Sequence, residues 1–169
     1  LTYQKGFDLL IQAWSKIPRD SRIGWQLRIV GEGEDRNILQ QLVDQLELGS
    51  SVDLAGKSDD MVLEYSRASL FVLSSRFEGF GLVLTEALSF GTPVISFDCP
   101  DGPSEIVIDA ENGMLVSNGA VDELADAIAT FLSAPSLRKR LMDNSNHGLE
   151  RFSGKLILPK WKRLIESVE

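Results

Sequence analysis

Apolar residues recur along this chain with two alternating periods. Phe7, Leu10, Ile11, Trp14 and Ile17 fall at helical spacing, and Pro18 stops the pattern because its ring denies the backbone an N–H donor. Trp25, Leu27 and Ile29 then alternate with Gln26 and Arg28, the period of a strand, before the glycine turn Gly31-Glu32-Gly33. Ile38, Leu39, Leu42, Val43 and Leu46 restore the helical period.

The alternation continues with a short strand over 52–55 and a helix opened by Ser58-Asp59-Asp60, whose short polar side chains suit the exposed N–H groups of a first turn. An apolar strand over 70–73, a helix over 82–90 closed by Gly91, and a second apolar strand over 94–97 follow. Strands that read as continuous Val/Ile/Leu runs are expected to be covered on both faces. Alternating with helices, they predict an α/β fold in which right-handed crossovers join a parallel sheet. The tail is predicted to be mainly helical, over 122–132, 136 to about 144, and 156–168, with Pro159 a kink or a start in the last segment. One domain over residues 1–169 accommodates the whole pattern.

The net charge of −8, from 25 acidic and 17 basic residues, comes without a basic stripe, so nucleic acid is excluded as a partner. A lone cysteine, Cys99, excludes an internal disulfide framework, fits a reducing, cytoplasmic setting, and leaves no Cys/His cluster with zinc spacing. No apolar run approaches the roughly 20 residues that cross a bilayer. Leu1-Thr2-Tyr3 brings neither a methionine nor a strand ahead of the first helix, so a fragment is expected.

Ligands of open parallel sheets sit beyond the carboxyl ends of the strands, which singles out the loops at 31–33, 74–81 and 98–103. Within Ser75-Arg76-Phe77-Glu78-Gly79-Phe80-Gly81, the glycines let the backbone turn from strand into helix and approach a ligand closely. Backbone N–H groups near Phe80 to Val83, at the positive end of the helix dipole, can then hold a phosphate without a metal. Glu86 lies one turn into that helix among apolar neighbours. Its carboxylate either accepts hydrogen bonds from a sugar diol or satisfies backbone groups or an arginine; local chemistry leaves both open. Asp59-Asp60 reads as an N-cap rather than a metal site. Gly31-Glu32-Gly33 lacks the third glycine of a dinucleotide fingerprint and reads as turn chemistry.

Glu78-Gly-Phe-Gly-Leu-Val-Leu-Thr-Glu86, followed by Ala-Leu-Ser-Phe-Gly-Thr-Pro-Val, resembles the donor-site signature of retaining glycosyltransferases of GT-B architecture, in particular family 4. Lys5-Gly6-Phe7, Gly31-Glu32-Gly33, Gly102-Pro103-Ser104-Glu105 and Asn112-Gly113-Met114-Leu115-Val116 extend the resemblance over most of the chain. It implies a Rossmann-like domain that binds a UDP- or GDP-sugar and transfers its glycosyl group, with retention, to a hydroxyl acceptor in glycan, polysaccharide or glycolipid synthesis. By the same resemblance Glu86 accepts from the ribose hydroxyls and Glu78 faces the transferred sugar. The backbone at Phe80, Gly81, Leu82 and Val83 holds the diphosphate and sugar, Lys5 neutralises the leaving phosphate, and Lys57 and Ser58 contact the base. No metal and no other cofactor is implied.

Such proteins place a second phosphate-binding residue, an arginine, just before the position of Leu1, and their acceptor-binding N-terminal domain precedes it. This chain by itself is therefore expected to bind donor weakly and transfer nothing. The missing half would carry any peripheral contact with the inner membrane surface. Alternatives are a nucleotide-sugar epimerase or phosphorylase of similar fold, or a binding-only module.

The remaining polar residues read more plainly. His147 lies in a polar helix end and receives no role, Arg76 pairs with a nearby acid, and Cys99 is inert. Ser104 is expected as an N-cap, with Glu105 favouring the helix dipole. Lys155, Lys160, Lys162 and Arg163 interleave with Ile157, Leu158, Trp161, Leu164 and Ile165 in an amphipathic helix expected to expose its apolar face and promote weak self-association.

Overall fold

In the computed structural model, which describes residues 1–167, the five strands all run parallel but form two separate sheets. β1 (Leu27–Val30) pairs with β2 (Val52–Gly56), with Leu27 opposite Val52 and Ile29 opposite Leu54. The second sheet has the order β3 (Phe71–Leu73), β4 (Val94–Asp98), β5 (Gly113–Ser117), with Ser96 of the central strand between Leu73 and Leu115. The helices are α1 (Phe7–Lys16), α2 (Arg36–Gln45), α3 (Met61–Arg67), α4 (Leu82–Ser89), α5 (Pro103–Ile106), α6 (Val121–Ser133), α7 (Pro135–Asp143) and α8 (Gly154–Glu166). The predicted α/β class therefore holds, and every predicted helix and strand is present.

β4, apolar over 94–97 except for Ser96, shows why such a run belongs in the middle of a sheet. Its side chains alternate between faces, so Ile95 and Phe97 join one core with Leu10, Ile11 and Trp14 of α1 and Leu124 and Ile128 of α6. Val94 points the other way, into a core with Leu84, Ala87 and Leu88 of α4 and Ile106 of α5. Burying a chain of this kind contributes on the order of 25 cal/mol per Å² of apolar surface, which makes these two faces the main source of stability.

Three sequence expectations need correction. The single parallel sheet is divided in two, and the strand at 70–73 is not covered as β4 is: Phe71 and Val72 are only half-buried. Ser104 does not cap α5; Gly102 does, and Pro103 takes the first helical position, where its missing N–H costs nothing. β5 falls ahead of the helical tail, in a stretch to which the pattern assigned no strand; only three of its residues, Met114, Leu115 and Val116, are large and apolar. Of the two readings of Pro159, a kink or a start, the start is excluded, because the residue lies within α8, which begins at Gly154. The predicted end of that helix at Val168 lies outside the described residues. The helix exposes Leu158, Trp161, Leu164 and Ile165, as its pattern implied.

Candidate nucleotide-sugar site

The loop that leaves β3 carries the densest set of polar contacts at the carboxyl end of the sheets. Ser74 and Ser75 are buried, the chain turns through 76–80, and Gly81 in the left-handed region (φ 85°, ψ 46°) starts α4. Glycine adopts that geometry without the steric cost of a side chain. It also leaves α4 with no side-chain cap, so the N–H groups of Leu82 and Val83 face outward at the positive end of the helix.

Lys5 and Glu78, 73 residues apart in sequence, meet here. The Lys5 ammonium donates to Glu78 Oε1 at 2.8 Å, and the Ser75 hydroxyl donates to the same oxygen at 2.6 Å. The Glu78 side chain is only 9% exposed against 39% for Lys5, so the carboxylate is held mostly out of water and the cation reaches toward it from the surface. Both charges are thereby partnered, which a carboxylate at that depth requires.

Lys5 is held there by a seam between the turn at Tyr3–Lys5 and the loop after β3. Arg76 N–H donates to the Gln4 carbonyl at 2.8 Å, Gln4 Nε2 donates to the Phe77 carbonyl at 3.0 Å, and Ser74 Oγ donates to the Lys5 carbonyl at 2.9 Å. The Arg76 guanidinium stacks 4.0 Å from the Tyr3 ring centre and grips Asp8 through two bonds of 2.9 and 2.7 Å. This confirms that Arg76 pairs with an acid. Burial works to raise the Asp8 carboxyl pKa, but the Arg76 hydrogen bonds and charge outweigh it and hold the group below its ordinary value.

A depressed carboxylate stabilises the fold above its unfolded-state pKa, and that contribution disappears as pH falls through the folded-state value. Asp8 is about one-third exposed, which screens the effect. The stability difference between wild type and Asp8→Asn should be on the order of 1 kcal/mol at about pH 6 and should close below about pH 4. Denaturant melts at a series of pH values check this; a gap independent of pH would refute it.

Glu86 is more exposed than its apolar neighbours suggested. One oxygen, Oε2, accepts the Tyr65 hydroxyl at 2.8 Å. Tyr65 is itself fixed: its ring stacks on Phe90 at 5.7 Å and packs at a tilt on Phe71 at 5.9 Å. Burial, and then the bond and charge of Glu86, push the phenol pKa well up, so it stays protonated and donates. Neither of the structural roles considered for Glu86, a backbone cap or an arginine pair, is what occupies the carboxylate, and its Oε1 has no protein partner among the described residues.

Lys57 and Ser58 lie at the carboxyl end of β2, with Lys57 exposed and the Ser58 hydroxyl accepting from Asp60 N–H at 3.4 Å. No hydrogen bond or ion pair links them to Lys5, Glu78 or Glu86 among the described residues. Asp60 caps α3 by accepting from Leu63 N–H at 2.9 Å, as the N-cap reading required. His147 pairs with Glu111, away from this loop, and Cys99 is buried with its thiol pKa pushed up, first by that burial and then by the charge of Glu78. Tyr65 and Ser75 were missed in sequence. Nothing local marks Tyr65 as the partner of a carboxylate 21 residues further on.

Parallel strands, helices on both faces and a polar loop running into an uncapped helix define one half of a GT-B transferase fold, Rossmann-like in its architecture. A family model described as glycosyl transferases group 1 matches residues 1–147, and the chain belongs to that family. It is 38% identical over 165 residues to an exopolysaccharide phosphotransferase of Streptomyces coelicolor, covering 97% of this chain and 17% of that protein. An amylovoran biosynthesis glycosyltransferase of Erwinia amylovora is 30% identical over 165 residues, covering 98% of this chain and 46% of the relative. Among solved structures, the Anabaena protein HepE in complex with UDP superimposes with a TM-score of 0.88 at 25% identity, over 99% of this chain and 46% of that one. The chain thus spans less than half the length of each of these relatives. No described helix is long and apolar enough to cross a membrane.

Proposed function

We propose that this domain is the donor-binding half of a retaining glycosyltransferase and that it takes a nucleoside diphosphate sugar at the junction of β3 and α4. The observation that carries the proposal is the arrangement around the α4 N-terminus. Glu78, on the loop that enters the helix, pairs with Lys5 of the Tyr3–Lys5 turn, and a carboxylate held by Tyr65 stands one turn into the helix. Charge complementarity orders the ligand. The diphosphate belongs at the outward N–H groups of Leu82 and Val83, beside Phe80 and Gly81 and within reach of the Lys5 ammonium.

Glu86 then accepts from the ribose hydroxyls, one at its free Oε1, while the Tyr65 bond sets the carboxylate plane. Glu78, next to Lys5, faces the transferred sugar, and the base lies toward Lys57 and Ser58 at the end of β2. As the bond from the anomeric carbon to the diphosphate breaks, negative charge grows on the leaving oxygen. Lys5 and the helix N-terminus stabilise it, a role that a metal ion fills in other enzymes. The complex of HepE with UDP supports a nucleotide ligand, and the short coverage of the relatives supports an acceptor half elsewhere in the full protein.

Titration with UDP and with GDP, followed by thermal shift and by amide chemical shifts of Leu82 to Glu86, tests the proposal. One nucleotide should stabilise the chain, and Glu86→Ala should weaken its binding by at least about tenfold, the loss of one or two charge-assisted hydrogen bonds. If neither nucleotide at millimolar concentration shifts the melt or those amides, the donor site is not here.

A further inference from the structure

The segment between α7 and α8 reaches the loop that enters α4. Gly148 turns it in the left-handed region (φ 77°), and Leu149–Phe152 form one short helical turn. Its first anchor lies on the connection between α5 and β5. Asn112, fully buried, accepts from Ile108 N–H at 2.9 Å through Oδ1 and donates through Nδ2 to the His147 carbonyl at 3.2 Å, while the His147 ring pairs with Glu111. A buried amide satisfied at both ends holds its partners in one arrangement.

The second anchor is Arg151. Its guanidinium donates to the carbonyls of Glu105 and Ile106 at the end of α5, where a helix leaves acceptors unpaired and the negative end of its dipole favours a cation. The same group lies over the Phe152 ring, 4.8 Å from its centre. Phe152 in turn meets Phe80 edge to face, with ring centres 5.4 Å apart and planes at 78°. The Phe80 main chain already abuts Gly102 at the opposite end of α5. One residue is thus held twice, by its backbone at Gly102 and by its ring at Phe152.

Phe80 stands between Gly79 and Gly81, so from 79 to 81 its side chain alone can anchor a backbone that glycine leaves permissive. The next residues are Leu82 and Val83, whose N–H groups face outward at the start of α4. We infer that Phe152 is a positioning residue for this loop: braced by Arg151 and Asn112, it fixes through the Phe80 ring the direction of the Leu82 and Val83 N–H groups, and so the affinity for a diphosphate held there. The ligand rests on the donor proposal; the ordering of the loop does not.

Phe152→Leu keeps an apolar side chain and removes the ring edge, whereas Phe152→Tyr keeps the ring. Leu132→Ala removes apolar contact from the core on the other face of β4 and controls for a loss of stability alone. Amide order parameters over 80–83, about 0.85 in a rigid loop, should fall toward about 0.6 in Phe152→Leu and hold in Phe152→Tyr and Leu132→Ala. Whichever of UDP and GDP binds the wild type should bind Phe152→Leu roughly three- to tenfold more weakly, the equivalent of one edge-to-face contact, and bind the other two variants as it binds the wild type. Arg151→Met, which removes only the donors to α5, should repeat both effects in smaller measure. Unchanged order parameters or undiminished affinity in Phe152→Leu, or equal losses in Leu132→Ala, would overturn the inference. If neither nucleotide binds the wild type, the donor proposal falls, and the order parameters alone decide the role of Phe152.

Discussion

Lys5→Ala is expected to lower turnover of a complete enzyme built on this domain by roughly 10²- to 10³-fold, the usual loss when one group that stabilises developing anionic charge is removed. The geometry adds a second consequence. Glu78, 9% exposed, would keep only the Ser75 hydroxyl at 2.6 Å and lose its counter-charge. An unpaired carboxylate at that depth costs about 1–3 kcal/mol, so Lys5→Ala should also melt lower. Lys5→Arg keeps the charge and should restore most of the stability but less of the rate, because its planar fork cannot take the place of a point charge. A stable Lys5→Ala with full turnover would show that the pair is decorative. Steady-state kinetics and denaturant melts of the two variants decide the matter.

The second large effect is expected at Gly102, where β4 gives way to α5 and the backbone crosses the site loop. A Cβ there would lie 2.0 Å from the Phe80 carbonyl oxygen and 2.5 Å from its carbon, at a φ of 110° that side chains rarely adopt. Backbone atoms on both sides cannot yield as a side-chain tip can. Gly102→Ala should therefore cost on the order of 3 kcal/mol or more. It should also displace Phe80 and, with it, the turn into α4, so nucleotide binding falls together with stability. Gly79→Ala is the control: nothing lies within 4 Å of a Cβ at that position, and the variant should fold as the wild type does. Melting curves of both variants, and the UDP or GDP titration on whichever folds, measure this. Equal stability of the two would mean that the loop gives way freely.

Periodicity carried the elements well because it reports burial, and burial follows from packing that each helix or strand undergoes against a core. α1 and β4 were legible for that reason: one shows an apolar stripe every three to four residues, the other a run over 94–97 that is apolar except for Ser96. Composition patterns carry much less about neighbours. The 70–73 run looks like β4 in sequence, yet Phe71 and Val72 are half-open because β3 is an edge strand, paired with β4 on one side only. β5 escaped notice because five residues with a glycine at one end and a serine at the other give too short a signal.

The site divides in the same way. That a glycine-flanked loop running into a helix can hold an anion is a property of local backbone, and it was readable from 75–86. So was the candidacy of Glu86, with its alternatives open, whereas Lys5 and Glu78 took their roles through a resemblance that spans the chain. Tertiary structure alone decided what each of these groups touches. It brought Lys5 to Glu78 across 73 residues, set Ser75 on the same oxygen, and used Tyr65 to orient a Glu86 that is more exposed than its neighbours suggested. It also set the five strands in two sheets, with β3 at an edge. Sequence determines local conformation because backbone preference and side-chain period act over a few residues. Which charges pair, and which strand edges stay open, depends on where distant segments come to rest, and only the folded chain settles that.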